Sequence, residues 1–395
     1  MKVITNAKIV YPDRIREGSI LLDGDLIISS GDVDVPEGSE IIDAGGLFVG
    51  PGLIDEHVHG YHQYGEGFDI IDNTRAVADA HLKHGVTSIT PSPSYSLRLE
   101  KYLSIIEQCN EAIDDGNSSI IGIHLEGPYI NYHMGAGRKY AWKYSDEIFS
   151  SLFEAAKGHV LHCTYAPEMP YAESVEAIIN KYGSVMDIGH TQADPESIYR
   201  SVSKGLKIVT HLFDATGNYR GIHAFDMTGD PQDGVSYVTL GIPNLYYEII
   251  SDVRGIHVTK SGQRLALKCA GEDHIILVSD CTYHKREDEN PDDYPDSDLR
   301  SCKDINIGKK GNLFGSRLTV ADCAANFMKA TGADIRVTFK CASTNSAAAL
   351  GVSSHIGSIA AGKKANLIFV DDAFKVKNVI FEGRQIPEVR TTVFA

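Results

Sequence analysis

One pattern repeats between residues 52 and 278: a short apolar run, followed by a longer stretch with helical spacing. The runs fall at 52–54, 85–90, 120–125, 160–165, 185–188, 208–210, 246–250 and 275–278. Strands that alternate with helices lie parallel in one sheet, because each helix carries the chain back to the same end. Eight such units are the inventory of an α/β chain of the (β/α)8 TIM-barrel type. Periodicity alone leaves an open, doubly wound sheet as the alternative.

The two ends follow a different rule. Residues 2–10 alternate apolar and polar, 19–22 and 26–29 flank the turn at Asp23 and Gly24, and 40–43 follow, all reading as short strands. Strand-like segments return at 365–370 and 375–382, on either side of a turn at Asp371 and Asp372. A chain of 395 residues exceeds what one core usually holds. The expected division is a barrel over 51–350 and a small β-sandwich domain made jointly by 1–50 and 351–395.

Composition narrows the partners. Hydrophobic residues at 43% and charged residues at 23% suit a folded globular chain. A formal net charge of −16 argues against nucleic acid and anionic membranes, both of which need a basic face, and favours a small-molecule ligand. The first twelve residues lack the apolar core of a signal peptide and no later run reaches membrane-spanning length, so the expected compartment is the cytoplasm. Seven scattered cysteines, an odd number, read as reduced thiols, with Cys281 taken as a small buried hydrophobe. The segment 286–298, REDENPDDYPDSD, is expected to be a solvated loop.

Chemistry collects at the ends of the apolar runs. In PGLIDEHVHG, residues 51–60, a strand ends in His57, Val58 and His59. Residues two apart on a strand face the same side, so both imidazoles can point at one metal ion. Glu126 in HLEGP, His190 in IGHT, His211 in VTHLFDA and Asp280 in LVSDC each follow directly on another run. The C-terminal ends of the strands of a closed barrel converge on one site, so these six residues would meet there.

These segments, with YAPE at 165–168, GHTQA at 189–193, RGIHV at 254–258 and the tail ASTNSAAALG with GSIAAGKKANLIFVD, resemble the amidohydrolase superfamily. Within it they are similar, end to end, to the N-acetylglucosamine-6-phosphate deacetylase family. The resemblance implies that Glu126, His190 and His211 hold one divalent metal and that His57 and His59 can hold a second, one or two ions per chain; zinc and iron both suit such ligands. It implies Asp280 as the base that takes the attacking water's proton and then the acid that protonates the departing amine. His257 would polarise the acetyl carbonyl. Substrate contacts are implied at Gly137, Arg138, Asp214, Ala215, Arg220, Arg254 and Phe314, and the assembly implied is a homodimer. His62, His84, His133, His162 and His223 match no motif and are read as surface or packing residues.

Departures from the family pattern bear on the substrate. Asp214 stands where the motif carries asparagine, Arg254 where DGIH carries aspartate, and Gly137 or Arg138 where a histidine is expected; Arg220 matches the phosphate-binding arginine only with a short deletion. A carboxylate at 214 repels phosphate unless paired, whereas the three arginines restore positive charge. The expected reaction is hydrolysis of the acetamide of an N-acetylhexosamine 6-phosphate, N-acetylglucosamine 6-phosphate foremost. The alternatives are another N-acyl substrate (an unphosphorylated amino sugar, an N-acyl-D-amino acid or a cyclic ureide) and, last, a scaffold without catalysis.

Overall fold

The computed structural model describes residues 1–135, 142–217, 233–284, 302–307 and 313–394. The chain opens with β1 (Lys2–Val10), β2 (Ile15–Asp23), β3 (Leu26–Gly31), β4 (Glu40–Asp43) and β5 (Phe48–Pro51). β6 (Leu53–Val58) then enters the barrel and is followed by a hairpin, β7 (Gly60–Gln63) with β8 (Glu66–Asp69). The remaining barrel strands are β9 (Val86–Pro91), β10 (Ile123–Glu126), β11 (Val160–Tyr165), β12 (Val185–Ile188), β13 (Leu206–Val209), β14 (Tyr246–Ile249) and β15 (Ile275–Leu277). A second hairpin, β16 (Ile305–Ile307) with β17 (Leu313–Ser316), follows, and β18 (Leu367–Val370), β19 (Val376–Phe381) and β20 (Arg384–Gln385) end the chain.

The eight apolar runs are therefore strands, and a helix follows each of them, from Ile70–Leu82 after β6 to Val320–Thr331 after β15. Their starts have local causes. Asp194 caps Pro195–Ser203 by accepting from the Ser197 N–H, with proline at the first helical position, where its missing N–H costs nothing. Thr319 and Asp322 form a reciprocal capping box.

Closure decides between the two sheet alternatives. β10 to β15 form one six-stranded parallel sheet, and β6 pairs in parallel with β9. Parallel bridges join β9 to the β10 segment at Ile89 and Ile120, and Val58 of β6 to Cys281, just beyond β15. Across that last seam the His59 N–H donates to the Cys281 carbonyl and the Asp280 N–H to the His57 carbonyl, each at 2.9 Å. Asp55 reinforces it, accepting from the Ser279 N–H at 3.1 Å and from its hydroxyl at 2.5 Å. The barrel is closed, as the convergence of polar residues required.

At the other end of the molecule an eight-stranded sheet runs in the order β20, β19, β18, β5, β1, β2, β3, with β4 also on β1. β1 pairs with β4 over Lys2 to Thr5 and with β5 at Lys8 and Ile9. The sheet has its own core, including Ile4, Ile20, Val49, Leu367 and Phe369, separate from the barrel's. Each fully buried side chain of this size contributes about 1.5–3 kcal/mol, so both cores are substantial. Among the described residues, no helix is long and apolar enough to cross a membrane. Six cysteines are buried thiols and Cys269 is exposed. The acidic segment 286–298 lies outside the described residues, as does His223.

Candidate active site

The barrel mouth gathers the six residues singled out at the strand ends. His57 Nε2 lies 3.2 Å from His59 Nε2, and His211 Nε2 lies 3.1 Å from His190 Nε2. Glu126 sits between the two pairs: Oε1 is 2.8 Å from His190 Nε2, 3.7 Å from His211 Nε2 and 3.6 Å from His57 Nε2, and Oε2 is 3.6 Å from His59 Nε2. Asp280 Oδ1 closes the set 3.1 Å from His59 Nε2.

Short turns after the strands aim these side chains. His190, His211 and Asp280 have φ of 47°, 32° and 45°, in the left-handed region that residues other than glycine rarely enter. Such strain persists where surrounding structure over-determines it, and here it bends each side chain back over the mouth. Gly189, just before His190, lies against Thr210 so closely that a Cβ would meet its Cβ at 2.7 Å.

The fit to divalent ions rests on the opposite edge of each ring. His57 Nδ1 faces Glu248 Oε2 at 3.1 Å, His59 Nδ1 the Ser92 carbonyl at 2.6 Å, and His190 and His211 Nδ1 the carbonyls of Met134 and Asp214, each at 2.9 Å. Acceptors on all four Nδ1 atoms put hydrogen there and leave Nε2 as the lone-pair edge of each neutral ring. Nitrogen lone pairs 3.1–3.2 Å apart, beside two carboxylates, call for a cation. Two groups of ligand atoms each lie within 4.8 Å of one another, His57 with His59 and Glu126, and Glu126 with His190 and His211. Glu126 is common to both.

The electrostatics agree. Burial opposes charge on His57, His59 and His211, but the neighbouring carboxylates of Glu248, Glu126 and Asp280 outweigh it; all three bind a proton more readily than free histidine, His211 up to about 9. Burial likewise opposes charge on Glu126 and Asp280, yet the histidines hold Glu126 well below the usual carboxylate range and Asp280 below it. The cluster thus holds protons where metal would displace them.

His257 is buried near Asp214 and Asp280, close enough for their charges to act on it. Its Nδ1 is 3.3 Å from Asp252 Oδ2, and its Nε2 has no hydrogen-bond partner among the described residues. Burial works against protonation of this ring, but Asp252 and Asp214 raise its affinity for a proton above the ordinary value. Asp252 also accepts from the backbone N–H groups of Arg254, Ile256 and His257. Neither Asp252 nor Glu248 emerges from sequence reasoning; the available signal was an acid inside or just after the apolar run 246–250.

A cleft of about 750 Å³ opens over this cluster, and Asp69, Tyr95, Asp214, Ala215 and Phe314 are among the residues that line it. Arg254 is not in that lining; its backbone N–H is tied to Asp252. Gly137, Arg138 and Arg220 lie outside the described residues.

The Amidohydrolase family model matches residues 48–386. N-acetylglucosamine-6-phosphate deacetylase of Bos taurus is 26% identical over 406 residues, covering 95% of this chain and 94% of its own length. The enzyme of that name from Vibrio furnissii is 24% identical, covering 90% of this chain and 86% of its own. Among solved structures, N-acetylglucosamine-6-phosphate deacetylase from Pasteurella multocida superposes with a TM-score of 0.83 at 24% identity, over 98% of this chain and 99% of that one. At that identity the superposition speaks for the fold. With a barrel closed at the Val58 and Cys281 seam, ligands at the ends of its strands and a family model spanning 48–386, the chain belongs to the amidohydrolase family.

Proposed function

We propose that this chain hydrolyses the acetamide of an N-acetylhexosamine 6-phosphate, N-acetylglucosamine 6-phosphate foremost, to the amino sugar phosphate and acetate. The observation that carries this reading is the convergence of four Nε2 atoms, Glu126 and Asp280 under one cleft, in a chain similar over nearly its whole length to deacetylases of that name.

Glu126, His190 and His211 would hold one divalent ion, and His57 and His59, with Glu126, a second; zinc and iron both suit the donors. Bound there, a divalent ion acts as a Lewis acid and lowers the pKa of water. Asp280, kept ionised by His59 and His57, accepts the proton of the attacking water and returns it to the amine nitrogen as the C–N bond breaks. His257, whose affinity for a proton Asp252 and Asp214 raise, would donate from Nε2 to the carbonyl oxygen as negative charge gathers on it. Asp252 holds the His257 ring in place.

The phosphate is read as falling to Arg138, Arg220 or Arg254, against the charge of Asp214. A cytoplasmic homodimer belongs to the same proposal, and light scattering reads its mass. Comparing kcat/KM for N-acetylglucosamine 6-phosphate and N-acetylglucosamine tests the substrate: preference for the phosphate is expected, and equal values would overturn phosphate recognition while leaving deacetylation standing.

A further inference from the structure

Two residues before Glu126 on β10, and so one layer deeper in the barrel, His124 meets His162 of β11 and Asp187 of β12, all without exposed surface. Their ligand atoms lie within 4.8 Å of one another, the spacing of a metal site. Ring geometry argues against an ion. The two imidazoles stack with centroids 4.0 Å apart and planes 7° from parallel. Lone pairs lie in the ring plane, so those of parallel rings run side by side and do not meet at one point. His124 is also satisfied already, with Ser92 Oγ 2.9 Å from Nδ1 and Thr164 Oγ1 2.9 Å from Nε2.

The partners of His162 fix its tautomer. Nε2 is 3.0 Å from the Glu56 carbonyl oxygen, which can only accept, so Nε2 carries hydrogen. Nδ1 then faces Asp187 Oδ2 at 2.5 Å, too close for a lone pair and a carboxylate oxygen without a proton between them. Thr90 Oγ1 donates to the same Glu56 oxygen at 2.7 Å. The peptide gripped in this way leads into His57, whose ring is held at Nδ1 by Glu248 and lies edge-on to His124 at 4.6 Å.

We propose that Asp187 and His162 share a buried proton and act as positioning residues for His57: Asp187 fixes the tautomer of His162, and His162 pins the Glu56 carbonyl and with it the backbone from which His57 projects. The positioning role rests on the reading of His57 as a metal ligand, whereas the proton pair does not.

Two measurements separate these claims. In metal-free protein carrying ¹⁵N-histidine, a strongly deshielded proton is expected at His162 Nδ1, retained in His57→Ala and lost in His162→Phe; its absence from the wild type overturns the pair. Calorimetric zinc titration is expected to show a step removed by His57→Ala and another removed by His190→Ala. His162→Phe should weaken the first roughly 10-fold and spare the second. Asp187→Asn should stay near wild type, because its amide N–H can donate to Nδ1 and preserve the Nε2–H. If His162→Phe does not fold, Thr90→Val, which removes the other donor to the Glu56 carbonyl, takes its place. Equal weakening of both steps, or an unchanged first step in a folded variant, overturns the positioning role. A wild-type titration with no step sensitive to His57→Ala counts instead against His57 as a ligand, and the resonance still decides the pair.

Discussion

Asp280 carries the heaviest burden of any single side chain, since it must be ionised to accept a proton and then give it up. Asp280→Asn is expected to fold and bind metal but lose roughly 10²- to 10⁴-fold in kcat, the usual weight of a general acid and base. Near-wild-type turnover would place the proton elsewhere. Asp252 gives a test with a sign. Its carboxylate helps raise His257 above the ordinary histidine value, so the donating N–H is present below that raised pKa and lost as pH rises through it. Asp252→Asn should therefore move the alkaline limb of kcat/KM to lower pH, and an unmoved limb would remove His257 from the chemistry. The cluster of histidines and carboxylates was legible because each of them ends an apolar run and several runs point to one place. Glu248 and Asp252 were not, because an acid in or beside a strand looks the same whether it braces a histidine or merely satisfies its own turn.

At the scale of elements, the strands were legible and their extents were not. The run expected at 52–54 continues through Val58: Asp55, Glu56 and His57 stay in the strand, each fully buried. Sequence polarity normally marks a strand's end; here it marks buried polar positions within one. The turns that aim the ligands were also hidden, since left-handed His190, His211 and Asp280 depend on tertiary contacts. Gly135 is where such a turn can be broken. Its φ is 117°, and a Cβ there would lie 2.4 Å from His190 Nδ1. Gly135→Ala should displace His190, weakening metal binding by roughly 10-fold or more while the melting temperature of the metal-free protein changes little. Unchanged metal affinity would show that the loop has room to yield.

For the molecule as a whole, any ion held by residues from several strands stabilises the folded state alone. At a free metal concentration 100 times its Kd the gain is about 2.7 kcal/mol, so chelation should lower Tm by roughly 3 °C and abolish hydrolysis, both restored by added metal. Full activity after chelation would sink the mechanism. The seam between β15 and β6 has one more consequence. Asp55 and Ser279, 224 residues apart, are bonded there, and the Asp280 N–H donates to the His57 carbonyl beside them. A ribosome releases His57 and His59 long before their counterpart across the seam exists. The growing chain therefore passes most of its synthesis chemically mute, and turnover makes a clock for the last pairing: on refolding, helical signal should return early and hydrolysis only when the two ends of the barrel sequence have met.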